Sequence, residues 1–377
     1  MNPADGVLLD RALVLWFPGP ASATGEDIAE IHLHGGRAVI AAVLNALADF
    51  KGLRHAEAGE FTRRAFENGR IDLAEAEALG DLLSAETELQ RRSAIAQVGG
   101  ALHRLTDSWS QEIVKLSAQV EAAIDFSDEG DVGTLSLDPV RDSVRSVVAD
   151  ILKVLADPPA ERLRDGLRVA IIGPPNSGKS TLLNCLISRD AAIVSDIPGT
   201  TRDVIEAPVI LRGLPFVFVD TAGIREDIVD PIERLGVDRS FAESRSADII
   251  LSLGGWTTNV TANVIAVAAK SDLSNDKPAG SVRVSAKTGE GITDLLAAIC
   301  SLATQILPGG DQASLNARHR AALLRVVSSL RDAAQEGDEL ILAEHLRLAR
   351  RALADVTGGN DAEDVLDALF GKFCIGK

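Results

Sequence analysis

The chain contains no tyrosine, a single methionine and only 3% aromatic residues in 377 positions. So few rings exclude an aromatic-rich β-sandwich and favour helices packed through Ala and Leu. The three cysteines, Cys185, Cys300 and Cys374, lie far apart, which excludes a disulfide framework and any zinc-ligand spacing. That usage fits a reducing, cytoplasmic setting. A secretory leader is not evident, because the apolar stretch Val7–Phe17 is broken by Asp10 and Arg11. No apolar run is long enough for a membrane span. The longest uncharged stretch, Ile249–Ala269, holds Gly254, Gly255, Asn259 and Asn263 and reads as two strands and a turn. Positive charge is in deficit: 38 Lys and Arg against 55 Asp and Glu leave a net charge of −17. This argues against broad, non-specific nucleic-acid binding but permits a local basic patch or a partner that carries nucleic acid.

What is present is enough apolar residue, 46%, to build more than one core. Four segments are expected. Residues 1–68 mix strand-like runs with Gly/Pro turns: Ala12–Phe17 reads as a strand, Thr24–Asp27 as a helix entry, and Ile31–Gly36 as a strand running into a turn. Residues 69–166 are helical, with apolar positions recurring at 3–4 spacing through Leu73, Ala76 and Leu79, then Ile113, Leu116, Val120 and Ile124. Asp128–Gly133 interrupts, and a further helix covers Val140–Leu155. Residues 167–303 alternate strand and helix, with strands expected at 168–172, 208–211, 215–219, 248–252, 263–268 and 281–284. Residues 304–377 return to helix, stopped at Gly358-Gly359, with a last short helix at Ala362–Phe370. The fold class is thus α/β and all-α: a doubly wound nucleotide domain inserted into a helical domain.

The inserted segment carries the chemistry. Gly173–Ser180 reads G-x-x-x-x-G-K-S between a buried-strand run and a helix start. In such a loop the backbone N–H groups wrap phosphates, Lys179 reaches the β/γ-phosphates and Ser180 can hold Mg²⁺. The nucleotide set here is Asn176, Ser177, Gly178, Lys179, Ser180 and Thr181. Ser195, Asp196, Ile197, Pro198, Gly199, Thr200 and Thr201 follow, and Thr201, with Thr200 next, is placed to complete a Mg²⁺ shell. The strand at Phe216 delivers Asp220, Thr221, Ala222 and Gly223, an acid at a strand end suited to a Walker-B role. Lys270 and Asp272 form a base-reading loop, since a carboxylate there can accept from guanine N1 and N2. Ser285, Ala286 and Lys287 can offer a backbone N–H to guanine O6. In this order the motifs point to GTP hydrolysis. Two departures stand out. Ala269 stands where an N-K-x-D loop has Asn, which should weaken nucleotide binding while Asp272 keeps the preference for guanine. Ile224 stands where many small GTPases have a water-orienting Gln, so Arg225, Glu226 and Glu233 are the candidates for that task. Asn176 could also help hold a monovalent cation where an arginine finger would otherwise bring charge.

These motifs join Leu15–Pro20, Thr24–Asp27, His34–Gly36, Gly59–Phe66, Asp72–Glu77, Glu121–Phe126 and the terminal Cys374-Ile-Gly-Lys377. Together they resemble the bacterial tRNA-modification GTPases of the MnmE (TrmE) family over almost the whole chain. The resemblance implies an α/β folate-binding and dimerising N-terminal domain at 1–68 and a helical domain at 69–166 and 304–377. It also implies a Ras-like G domain at 167–303. It implies K⁺-stimulated GTP hydrolysis in a homodimer, with no membrane association. A flavoprotein partner, MnmG (GidA), would bring FAD, and together they would build an aminomethyl or carboxymethylaminomethyl group on C5 of the wobble uridine of certain tRNAs. The one-carbon unit would come from a tetrahydrofolate, as the 5-formyl or methylene form. By the same resemblance Asn176, Ser195, Ile197 and Thr200 match K⁺ ligands, Ser180 and Thr201 Mg²⁺ ligands, and Glu233 the water-orienting acid. Glu30, Arg70 and Lys377 match folate contacts, and Cys374 belongs to the C-x-G-K tail. Compared with the family, the chain starts midway through the N-terminal domain, as a truncated gene or a genuine short form, so weak folate binding and weak dimerisation are expected. The stretch between Leu253 and Val264 is also short, and a plain loop is expected where the family has a helix.

Plainer readings stand beside these. His32 and His34 share one strand face, but a third metal ligand is not evident and structural use is expected. Cys185 and Cys300 read as packing residues, whereas Cys374 is as readily structural as functional. The charged run Glu86–Arg92 reads as a solvated helix face. Arg63-Arg64 and Arg347, Arg350 and Arg351 are either a basic patch for tRNA or salt-bridged helix surface. The competing function is a GTPase switch in ribosome assembly. Such a protein would carry a C-terminal RNA-binding domain with a G-x-x-G loop, and here the C-terminal segment is helical.

Overall fold

A computed structural model describes residues 2, 5–125, 136–190, 192–193, 206–220, 246–254, 263–273, 280–310, 313–358, 363–371 and 373. The chain divides into two compact units. One comprises residues 1–84, 97–148 and 322–377, and the other residues 85–96 and 149–321.

The first unit begins with a two-stranded antiparallel sheet, β1 (Leu13–Phe17) and β2 (Ile28–His32), registered so that Leu13 faces His32 and Phe17 faces Ile28. Thr24–Asp27 does not enter a helix, contrary to the sequence expectation. Its polar side chains satisfy the loop instead: Asp27 accepts from the Gly19 N–H at 2.8 Å, Thr24 Oγ1 accepts from the Glu26 N–H at 3.2 Å, and the Ser22 hydroxyl donates to the Glu26 carbonyl. With those groups engaged within the loop, the β-branched Ile28 and Ile31 extend the chain as a strand. Two helices went unread in the sequence. They are α1 (Arg37–Ala48), which starts at Gly36 with no side-chain cap, and α2 (Glu60–Glu67). Their entries are glycines, which read as turns. Gly59 has φ +70°, and a Cβ there would lie 2.5 Å from the Phe370 carbonyl oxygen, so only glycine fits.

The helical stretch behaves as its periodicity dictates. α3 (Leu73–Leu83) opens on a capping box in which Asp72 accepts from the Glu75 N–H and Glu75 from the Asp72 N–H. Then come α4 (Glu88–Val98), α5 (Ala101–Asp125), α6 (Asp138–Leu155) and the short α7 (Glu161–Arg164). The 126–135 break lies outside the described residues.

In the second unit the chain forms β3 (Leu167–Ile172), α8 (Lys179–Asp190), β4 (Ala192–Ile193), β5 (Glu206–Leu211) and β6 (Leu214–Asp220). It continues through β7 (Ile249–Leu253), β8 (Asn263–Ala268), β9 (Val282–Arg283) and α9 (Ile292–Ile306). The 7-stranded sheet runs β4-β5-β6-β3-β7-β8-β9. The strands β6, β3, β7, β8 and β9 are parallel, and β4–β5–β6 pair antiparallel. Its core includes Val169, Ile171, Leu186, Phe216, Phe218, Leu251 and Leu295. Cys300 is buried in that core and Cys185 packs against it, as expected for packing residues. Every strand expected between 167 and 303 is present within two residues of its expected ends. The link at 255–262 lies outside the described residues.

The chain closes with α10 (Ala317–Gln335), α11 (Glu339–Thr357) and α12 (Glu363–Phe370). Asp338 caps α11 by accepting from the Leu340 and Ile341 N–H groups. α11 packs along α5 in the first unit, and both bury one apolar stripe: Leu102, Trp109, Ile113, Leu116 and Val120 on α5, Leu342, Leu346, Leu353 and Val356 on α11. Among the described residues no helix is long and apolar enough to cross a membrane.

Candidate nucleotide-binding site

In a doubly wound sheet, ligands bind beyond the carboxyl ends of the strands where the strand order reverses. Here that point is β3: its neighbours are β6 on one side and β7 on the other. The loop after β3 is Gly173–Gly178, and it leads straight into α8, whose N-terminal N–H groups face that loop. A Cβ on Gly173 would lie 2.8 Å from Leu253 Cβ and 2.9 Å from the Leu253 carbonyl, so the close passage of the loop over the end of β7 requires glycine. Asn176 holds φ 58°, a left-handed conformation that Asn tolerates better than most residues. The Lys179 ammonium donates to the Gly173 and Pro174 carbonyls, both at 3.1 Å, and so stays folded over the loop. The Ser177 hydroxyl oxygen is buried with no hydrogen-bond partner among the described residues. A buried orphan of that kind, in the loop that leads into a helix N-terminus, fits a phosphate oxygen.

The described residues of the later motifs converge on the same edge. Asp220 ends β6 in register with Ile171 of β3, the strand that feeds the loop. Lys270, φ 59°, follows β8 and donates through Nζ to the Asn176 carbonyl, tying the base-reading loop to the phosphate loop. Asp272 accepts from the Ser285 hydroxyl at 2.7 Å, and that contact, above all others, holds its carboxyl below the usual range. Ser285 is fully buried and its hydroxyl also accepts from the Thr288 N–H at 3.2 Å, so it is fixed from two sides. Ala269 packs against the sheet core, leaving Lys270 as the bridge to the loop that an amide at 269 would otherwise brace. Sequence reasoning passed over Ser271 and Glu290. The Ser271 hydroxyl donates to Glu290 at 3.1 Å and its N–H to the Val284 carbonyl at 3.1 Å, which joins the two loops that would face the base. The acid one residue past Thr288-Gly289 was the available signal.

Thus Asn176, Ser177, Gly178, Lys179, Ser180, Thr181, Asp220, Lys270, Asp272, Ser285, Ala286 and Lys287 belong to adjacent loops and strand ends of one sheet. Ser195–Thr201, Thr221–Gly223, Ile224, Arg225, Glu226, Glu233, Cys374 and Lys377 lie outside the described residues. In the other unit, Glu30 is engaged with His32 Nε2 at 3.0 Å, and the Arg70 stem lies beside Gly25. No hydrogen bond joins Glu30 and Arg70 among the described residues. His34 pairs with Asp10 at 2.8 Å, and no cluster of three metal-ligating side chains occurs among the described residues. Phe373, next to the terminal tail, is buried against Leu73, Ala76 and Phe370.

Residues 73–374 match the family model described as the MnmE helical domain, and residues 1–70 match that of the GTP-binding protein TrmE N-terminus. A tRNA modification GTPase MnmE from Rhizorhabdus wittichii is 53% identical over 100% of this chain and 85% of its own length. The chain belongs to the MnmE family of tRNA modification GTPases. Its MnmE relative in Erythrobacter litoralis is 52% identical over 100% of this chain and 89% of its own. Among solved structures, Era of Aquifex aeolicus aligns over 46% of this chain and 69% of its own at 27% identity, with a TM-score of 0.28, too low to add to the MnmE assignment.

Proposed function

We propose that this MnmE-family chain is a K⁺-stimulated, Mg²⁺-dependent GTPase of tRNA wobble-uridine modification. The observation that carries the reading is the convergence of the Gly173–Ser180 loop, Lys270 and the Ser285-held Asp272 at the switch point of one sheet. Ser180, the second residue of α8, would hold Mg²⁺ with Thr201, and the metal would neutralise charge on the phosphates. Lys179, released from the Gly173 and Pro174 carbonyls, would turn to the phosphates. Asp272 would accept from guanine N1 and N2, and the N–H groups near Ser285–Lys287 would meet guanine O6. Asn176, with Ser195, Ile197 and Thr200, would hold K⁺, and Glu233 would orient the attacking water. The chain would act as a homodimer in the cytoplasm, with a flavoprotein of the MnmG (GidA) kind supplying FAD. The product would be an aminomethyl or carboxymethylaminomethyl group on C5 of the wobble uridine. Residues 1–68 would serve a tetrahydrofolate through Glu30 and Arg70, with Lys377 from the tail. Residues 69–166 and 304–377 would form the helical domain around the G domain at 167–303.

GTP turnover measured in K⁺ and in Na⁺ at equal ionic strength tests this. Turnover should fall strongly in Na⁺ and in Asn176→Ala, and Glu233→Ala should lower kcat far more than nucleotide affinity. Equal rates in the two salts would remove the cation from the mechanism.

A further inference from the structure

The arginines of the first unit are used in two ways. Half are spent on neighbouring carboxylates, among them Arg54 and Arg64 on Glu60, Arg63 on Glu67 and Asp367, Arg145 on Asp142, and Arg325 on Asp355. The group on α11 differs in being clustered on one groove. Arg347 pairs with Glu344 one turn earlier, at 2.7 Å, but Arg350 and Arg351 have no ion-pair or hydrogen-bond partner among the described residues. All three line a groove of about 810 Å³ between α11 and α5, whose other wall includes His103, Asp107 and Glu121. From His103 to Glu121 the α5 wall runs about 27 Å at the rise of an α-helix. That is too long for a single phosphate or nucleotide to span and suits a polymer.

The two walls differ in chemistry. Arg347 and the Arg350–Arg351 pair sit three and four residues apart, so their guanidinium stems emerge about 5–6 Å from each other on one helix face. Such a row matches a chain of phosphates, which arginine binds with paired N–H donors. The α5 wall offers acceptors. Asp107, steadied by Gln111 Nε2 at 2.8 Å, and Glu121 can take hydrogen bonds from ribose 2′-hydroxyls or exocyclic amino groups. A surface that was only basic would take any polyanion; acceptors set against the arginines favour one that also carries donors. On a chain of net charge −17, binding that depends on a few local cations is also selective against non-specific nucleic acid.

We infer that the α5–α11 groove is an RNA-binding surface, with Arg350 and Arg351 on backbone phosphates and Asp107 and Glu121 on sugar or base donors. The inference rests on the reading that the chain acts on tRNA, and assigns that contact to the helical region and not to the nucleotide sheet. The test is fluorescence anisotropy of a labelled tRNA transcript titrated with the full chain across a salt series. Arg350→Glu/Arg351→Glu should weaken binding tenfold or more and flatten the slope of log K against log salt by about two. Its GTP turnover without RNA should be unchanged, which shows that the variant folds. Glu344→Gln should release Arg347 and tighten binding a few-fold. Arg145→Glu/Arg331→Glu, the same charge change outside the groove, should alter affinity much less. If the wild-type chain binds the transcript and Arg350→Glu/Arg351→Glu binds it equally, or if the control reversal loses as much, the groove is not the site and the tRNA reading stands. If the wild-type chain binds no tRNA, that reading falls and the inference with it.

Discussion

Two sheets in this chain are written with the same kind of residue and stabilised by different means. The sheet of the second unit places Ile249–Leu253 wholly out of solvent and buries Phe216 and Phe218 behind flanking strands and helices. The β1–β2 ribbon of the first unit is as apolar, yet Trp16 is 61% exposed and Leu13 60%. Order around the ribbon comes from polar contacts: Asp27 to the Gly19 N–H, Asp10 to His34, and the linked pairs Arg54–Glu60–Arg64–Glu26. A short apolar run therefore specifies a strand, while cover by other elements decides whether that strand contributes a core. Loops that must hold a ligand in place belong on the covered sheet, because burial of β3, β6 and β7 fixes the strand ends from which those loops spring.

The contrast yields measurable differences. Phe218→Ala removes a fully buried ring and should cost about 3–5 kcal/mol in denaturant unfolding; a loss below about 1 kcal/mol would show that this core repacks freely. Ala269→Asn probes the sheet's functional edge. An added hydrogen bond is worth about 0.5–1.5 kcal/mol, so GDP and GTP should bind several-fold tighter. Unchanged dissociation constants in calorimetry would mean that the Lys270 bridge already supplies the bracing. On the ribbon side, Glu60 is held at about 2, below its ordinary 4.5, by hydrogen bonds from Arg54 first, then from the Glu57 N–H and Arg64. A depressed carboxyl contributes stability above its unfolded pKa and loses it as pH falls. The stability difference between wild type and Glu60→Gln should thus be constant above about pH 5 and shrink from there towards pH 2. A difference independent of pH would exclude the ion pairs as its source. Trp16→Ala should be the smallest effect, within about 0.5 kcal/mol, since an exposed ring leaves no cavity.

The strands of the nucleotide sheet were legible because β3 and β7 are apolar runs, interrupted only by Arg168 and Ser252, between turn signals, and because the motif residues recur at strand ends. The helices from Leu73 onward were legible from 3–4 spacing, and the Asp72/Glu75 capping box fixes where α3 begins. α1 and α2 were missed because their first residues follow glycines and lack a capping side chain, so local chemistry argued for turns. Thr24–Asp27 misled for the converse reason: the same side chains that cap helices also close loops. At the candidate site, residue types announced the phosphate loop and Asp272, but not the Ser271–Glu290 contact, which depends on β8 and β9 lying side by side. Two basic clusters looked alike in sequence. Only three-dimensional pairing separates Arg63 and Arg64, which are engaged by carboxylates, from Arg350 and Arg351, which have no such partner among the described residues.

The central claim of the proposed function is that this sheet reads guanine through Asp272, oriented by Ser285. Calorimetric titration of GDP and ADP into the wild-type chain and Asp272→Asn addresses it directly. The account predicts that the wild-type chain binds GDP and discriminates strongly against ADP, and that Asp272→Asn loses this preference while the phosphate loop, untouched, still holds Mg²⁺ and phosphates. Equal affinity for GDP and ADP in the wild-type chain, or an unaltered guanine preference in Asp272→Asn, would contradict it.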